Sequence, residues 1–195
     1  PLTVQAGGAL TSNNTTGFIY GLRGNNTQTF WRYSITGDTW TTLANTGTNV
    51  RIGGSLSHMG TFIYASVGTT NRFRRYDIGT NTWTGLANAP ATLRTGADLE
   101  NDGTSLYTPR GGSSTTFYRY NVGTNTWTTL ANAPGTIGQG SGSARIGNSI
   151  YVTRGNNQLQ LYRYNIATNN WTTRACPVAR PMPCTRRCTC KAKSR

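Results

Sequence analysis

The residues able to do chemistry are few in this 195-residue chain, and most of them stand alone. His58 is the only histidine, and Met59 and Gly60 follow it at an expected strand turn. The acids number five: Asp38, Asp77, Asp98, Glu100 and Asp102. A metal centre needs converging His, Cys or carboxylate ligands, and acid–base catalysis needs a positioned pair. One imidazole and these acids supply neither, so the sequence assigns no catalytic residue, no metal and no cofactor. The four cysteines, Cys176, Cys184, Cys188 and Cys190, are spaced C-x7-C-x3-C-x-C with no histidine near them, which does not match the usual zinc patterns. In an exported protein they would form two disulfides, in one of three connectivities.

The charge is lopsided. Formal net charge is +14, and 17 of the 19 basic residues are arginine. Residues 1–173 hold twelve arginines against all five acids, whereas residues 174–195 carry seven basic residues and no acid. Such a balance suits anionic glycans or anionic surfaces. Nucleic acid is not expected as a partner, because the basic tail has no aromatic residue on which bases could stack. No run of about 18 apolar residues exists, so no membrane-spanning helix is predicted. Beginning at Pro1, the chain reads as a processed or excised form. Its polar, Thr-, Asn- and Gly-rich strands suggest a secreted or cell-surface protein.

What must position these residues is a repeat. RYSITGDTWTTLANTG from Arg32 returns as RYDIGTNTWTGLANAP from Arg75, RYNVGTNTWTTLANAP from Arg119 and RYNIATNNWTTRACPV from Arg163. Trp40, Trp83, Trp127 and Trp171 are therefore 43, 44 and 44 residues apart. Each unit holds four short β-rich stretches broken by Gly, Asn, Asp and Pro; in the third these are 92–100, 105–110, 116–122 and 126–131. No stretch keeps a 3.6-residue apolar period, so the chain is all-β. Four strands in about 44 residues describe one blade of a β-propeller.

Aromatic-then-glycine endings recur at IYGLRG, IYASVG, LYTPRG and IYVTRG. Tyr33, Tyr76, Tyr120 and Tyr164 each stand seven residues before the tryptophan of their unit, placing Tyr and Trp against each other on neighbouring strands. On these motifs the chain resembles the kelch-repeat β-propeller family over roughly residues 1–175. The match is weaker at the paired glycines, where Arg-Gly stands three times and Val67-Gly68 once. The repeats give four kelch-like, four-stranded blades at about 1–45, 46–90, 91–134 and 135–174, followed by a Cys-rich basic tail at 175–195.

The first strand of each unit is expected at AGGAL (6–10), IGGSL (52–56), TGADL (95–99) and GSGSA (140–144), nearest the axis, where only small residues fit. Gln5, Arg51, Arg94 and Gln139 then stand just before those segments and could form a polar ring at the mouth of a central funnel, able to hold an anion, a carboxylate or a sugar. Trapped water bound between blades would account for the same ring. Arg32, Arg75, Arg119 and Arg163 are expected to stack on neighbouring aromatics. The resemblance implies six or seven blades with a strand-paired latch, and this chain supplies four and no spare strand. A compact four-bladed ring is favoured; two chains completing one larger ring, or a piece of a longer array, are the alternatives.

Three functions compete. One is a non-catalytic structural subunit assembling into a layer or fibre through its ring faces or its tail, as a homo-oligomer or polymer. The second is a glycan-binding module using the funnel. The third is a sialidase- or oxidase-like enzyme, for which the acid and histidine inventory is poor.

Overall fold

The computed structural model of the chain describes residues 3–13 and 16–174; the expected tail and its four cysteines lie outside the described residues. Sixteen strands form four antiparallel meanders, each ordered as in the sequence. Blade 1 comprises β1 (Ala9–Asn13), β2 (Phe18–Leu22), β3 (Phe30–Ser34) and β4 (Thr39–Thr42). Blade 2 comprises β5 (Gly54–Met59), β6 (Phe62–Val67), β7 (Phe73–Asp77) and β8 (Thr82–Gly85). Blade 3 comprises β9 (Glu100–Asn101), β10 (Ser105–Pro109), β11 (Phe117–Asn121) and β12 (Thr126–Thr129). Blade 4 comprises β13 (Ser143–Ile146), β14 (Ser149–Gly155), β15 (Gln158–Asn165) and β16 (Asn170–Arg174). The described residues contain no helix. The chain is a four-bladed β-propeller.

Within each blade the repeat's tyrosine and tryptophan are direct cross-strand partners: Tyr33–Trp40, Tyr76–Trp83, Tyr120–Trp127 and Tyr164–Trp171. Their ring centroids lie 5.1, 5.3, 5.2 and 5.1 Å apart. Seven residues of spacing achieve this because the turn between the strands contains one left-handed residue: Asp38, Asn81, Asn125 or Asn169, with φ between 47° and 55°. Asn and Asp tolerate that conformation better than other side chains.

The small segments expected as axial strands begin in turns and enter the strand only at their ends in blades 1, 2 and 4. Gly8 donates its N–H to Gln5 O, Gly54 to Arg51 O, Ala97 to Arg94 O and Ser141 to Gly138 O. The residue before each donor is a glycine at φ +87°, +88°, +91° or +77° (Gly7, Gly53, Gly96, Gly140), as a type II turn requires. The inner strand begins at the end of that turn or just beyond it, and in blade 3 it is reduced to Glu100–Asn101. These turns also shift one register. Gly138, not Gln139, is the counterpart of Gln5, Arg51 and Arg94.

Three blade–blade junctions carry a hydrophobic core. Phe30 of blade 1 meets Tyr76 and Trp83 of blade 2 at 4.9 and 5.0 Å. Phe73 meets Tyr120 and Trp127 at 4.8 and 5.0 Å, and Phe117 meets Tyr164 and Trp171 at 4.8 and 4.9 Å. Each pairing is edge-to-face, worth about 0.5–1.5 kcal/mol beyond the area it buries. Val50, Leu93 and Ile137, in the linkers between blades, are fully buried beside them.

Blades 4 and 1 share no hydrophobic cluster among the described residues.

Candidate functional site

Two places bring side chains together in ways a ligand or partner could use: the axial funnel and the open faces of the first and last blades. In the funnel, one cavity of about 570 Å³ is lined by the turns of all four blades, including Gly7, Gly53, Gly96 and Ser141. A second, of about 820 Å³, is lined further along by Thr11, Ser57, His58, Glu100, Asn101 and Ser143. Leu10, Leu56 and Asp98 border both.

Asp98 is the hub of the funnel. Its Oδ1 accepts from Ser55 Oγ of blade 2 at 3.1 Å and from the N–H of Leu99 at 3.1 Å. Oδ2 accepts from both the N–H and the hydroxyl of Ser143 in blade 4, at 2.9 and 3.0 Å. One carboxylate thus ties three blades together. The belt continues through Asn101, which donates to Ser57 Oγ and His58 O, and through the N–H of His58, which donates to Thr11 Oγ1 of blade 1. Glu100 sits beside Asp98, accepting from Ser143 Oγ at 3.3 Å. Burial first, then the Asp98 charge, push its carboxyl above the usual carboxylate range. Burial lowers the His58 imidazole from its ordinary value.

The residues expected to ring the funnel mouth do not converge. Gln139 lines the axial cavity. Arg51 turns outward, donating from Nε to Asn26 Oδ1 at 2.7 Å. Arg94 lines a separate cavity of about 640 Å³ with Arg110 and Ser113. Gln5 donates its backbone N–H to Arg23 O at 3.1 Å. The carboxylates of Asp98 and Glu100, just before and within β9, line the funnel where the sequence suggested arginines. Their signal was present in DLEND, residues 98–102, because strand alternation sends Asp98 and Glu100 to one side and Leu99 to the other.

The repeated arginines behave as expected in the first two blades: the Arg32 guanidinium lies 4.5 Å from the Phe18 ring and Arg75 lies 4.2 Å from Phe62. In blade 4, where Asn148-Ser149 stands in place of an aromatic, Arg163 instead donates from Nε to Ser149 Oγ at 2.8 Å.

Among the described residues, the open faces display the junction surfaces without their partners. Leu10 of blade 1 is 67% exposed, whereas its counterparts Leu56 and Leu99 are 6% and 4% exposed. Trp40 is 40% exposed. Trp83, Trp127 and Trp171 donate their indole N–H groups to Ala44 O, Ala87 O and Ala131 O of the preceding blade, a bond Trp40 lacks among the described residues. On the far side, Tyr151 and Leu161 of blade 4 are half-buried, where Tyr20, Tyr64, Tyr107, Phe30, Phe73 and Phe117 are buried. Gly140 agrees with this. A Cβ on Gly7, Gly53 or Gly96 would strike the backbone of the next blade, at Arg51, Arg94 or Gly138, whereas one on Gly140 would meet nothing within 4 Å.

Fold and faces together define a β-propeller with three junctions and, among the described residues, two open faces. No family model and no curated protein matches the chain. Among solved structures it is similar to that of YjhT, a propeller, with TM-score 0.74 and 16% identity over 92% of this chain and 68% of that one. At that identity the likeness speaks for the fold alone.

Proposed function

We propose that this chain is a non-catalytic structural propeller, at the cell surface or outside the cell, whose copies assemble with one another. The observation that carries the reading is the exposed face of Tyr33 and Trp40, which repeats the surface covered in blades 2, 3 and 4. Exposed aromatic surface of this kind marks an interaction site. The absence of a catalytic role is also part of this proposal. Asp98 supports it, since both of its oxygens are engaged in bonds that hold blades together. Kelch-like ancestry belongs to the same reading, resting on the Tyr–Trp pairs and the repeat phase.

Electron microscopy and light scattering over a concentration series test the proposal. Ordered assemblies that grow with concentration are expected, and single propellers at every concentration would refute it.

A second reading is favoured by the funnel: a polar cavity lined by hydroxyls, an amide and two carboxylates suits a neutral polyhydroxyl ligand such as a glycan. Glycan-array binding lost on Glu100→Gln would favour that reading.

A further inference from the structure

We infer that copies join head to tail, the open face of blade 4 on one copy receiving the open face of blade 1 on the next, in the register of the internal junctions. This rests on the proposed self-assembly and specifies its partner surface.

Continuity with the three existing junctions argues for a second copy as the occupant. At each of them the second-strand tyrosine and third-strand phenylalanine of one blade meet the Tyr–Trp pair of the next. Blade 4 offers Tyr151 and Leu161 at those positions, and blade 1 offers Tyr33 and Trp40. Each face is thus the complement of the other and not of itself. A contact between two blade 1 faces would set two tryptophan pairs against each other with no Phe or Leu to receive them. The contact is therefore heterologous and directional.

Charge points the same way. At the internal junctions Asn81, Asn125 and Asn169 accept two bonds each: one from the tyrosine hydroxyl of their own blade, and one from the N–H of Ala44, Ala87 or Ala131 in the preceding blade. Blade 1 alone places an acid there. Asp38 Oδ1 accepts from the Tyr33 hydroxyl at 2.6 Å. Across the internal junctions the arginine of one blade lies close enough to the next blade's tyrosine to act on it: Arg32 on Tyr76, Arg75 on Tyr120 and Arg119 on Tyr164. The corresponding arginine on the open face of blade 4 is Arg163. In the head-to-tail joint it would approach Tyr33 and Asp38 of the next copy, so a neutral internal arrangement becomes an ion pair between copies. Arg145, exposed on blade 4, adds a second cation.

Two variants of the full chain, each blocked on one face, test the joint: Trp40→Arg on blade 1 and Leu161→Arg on blade 4. Unchanged thermal melting confirms that each remains folded, because neither site belongs to a formed junction. Sedimentation should show each variant alone as monomer and an equimolar mixture as a one-to-one dimer, joined through the two intact faces. Asp38→Arg should likewise abolish assembly, and Asp38→Arg combined with Arg163→Asp should restore it. If the wild-type chain assembles while the single-face variants still assemble alone, the head-to-tail joint is refuted and self-assembly stands. If the wild-type chain stays monomeric at every concentration, both readings fall.

Discussion

Trp83 donates its indole N–H to the backbone carbonyl of Ala44 at 3.0 Å, across the boundary between blades 1 and 2. Trp127 and Trp171 repeat that bond at 2.8 Å. A single residue type thus fastens each blade to the one before it. The bond needs a preceding blade, so four chemically equivalent tryptophans divide into three that hold the fold and one that does not.

Replacing Trp83, Trp127 or Trp171 by phenylalanine keeps an aromatic ring but removes the donor. Each change should cost about 1–2 kcal/mol, from the lost hydrogen bond and weaker edge-to-face packing. Trp40→Phe should change stability by no more than about 0.5 kcal/mol, as expected for an exposed site. Chemical denaturation of the four variants checks this. Equal losses at all four positions would mean that blade 1 has a covered face.

The inner turns give an independent check. Gly96 and Gly140 have similar left-handed conformations, at φ +91° and +77°, so alanine carries a comparable backbone penalty of roughly 1–2 kcal/mol at either. Only at Gly96 would the added methyl also strike the next blade, at Gly138 O. Gly96→Ala should therefore be the more destabilising by about 1–3 kcal/mol, the usual cost of overpacking. Parallel thermal melts of the two variants decide it.

Much of this architecture was legible in the sequence, and the reason is repetition. The Tyr–Trp pairs and the turn glycines Gly24, Gly68, Gly111 and Gly155, all at positive φ, follow from spacings seen four times. What could not be read was anything dependent on how one blade meets another. Strand patterns encode which faces are apolar but not which blades share a core, so the lack of a hydrophobic cluster between blades 4 and 1 among the described residues had no signal in the sequence. The funnel was misjudged for two reasons. Gln139 is one residue out of register with Arg51 and Arg94; Arg51 bonds Asn26, distant in sequence, and Arg94 lines a separate cavity. Asp98 looked isolated because Ser55 and Ser143 lie 43 and 45 residues away from it.

Glu100 predicts a pH-dependent effect. Its carboxyl holds its proton more tightly in the folded chain than in the unfolded one, mainly because it is buried and then because Asp98 is near. Its contribution is therefore most favourable below the unfolded value and is lost as pH rises through the raised folded value. Near neutral pH an ionised Glu100 opposes folding. Glu100→Gln, which keeps the shape without the charge, should raise the melting temperature at pH 7 and leave it almost unchanged near pH 4. An equal gain at both values would mean that charge is not the cause.

The junction tyrosines predict a limit at the alkaline end. Burial, as the largest cause, pushes the phenols of Tyr76 and Tyr120 from 10 up to about 12, each helped by the tyrosine facing it across the junction. Burial and the bond to Asp102 raise Tyr107 as well. These groups keep their protons more tightly when folded, so their stabilisation is complete below pH 10 and disappears as pH climbs towards about 12. Ionising any one of them would place a phenolate inside an aromatic cluster, where charge is strongly disfavoured. Phenolate absorbance should therefore rise in two stages: first the accessible tyrosines, then the buried ones together with loss of the β-sheet circular dichroism signal. The three buried junctions should open as one event, because each blade is held from both sides or through a neighbour that is. A single smooth titration near pH 10 with the sheet signal intact would show that these rings are open to solvent, and would remove the junction cores on which the fold and the proposed assembly both rest.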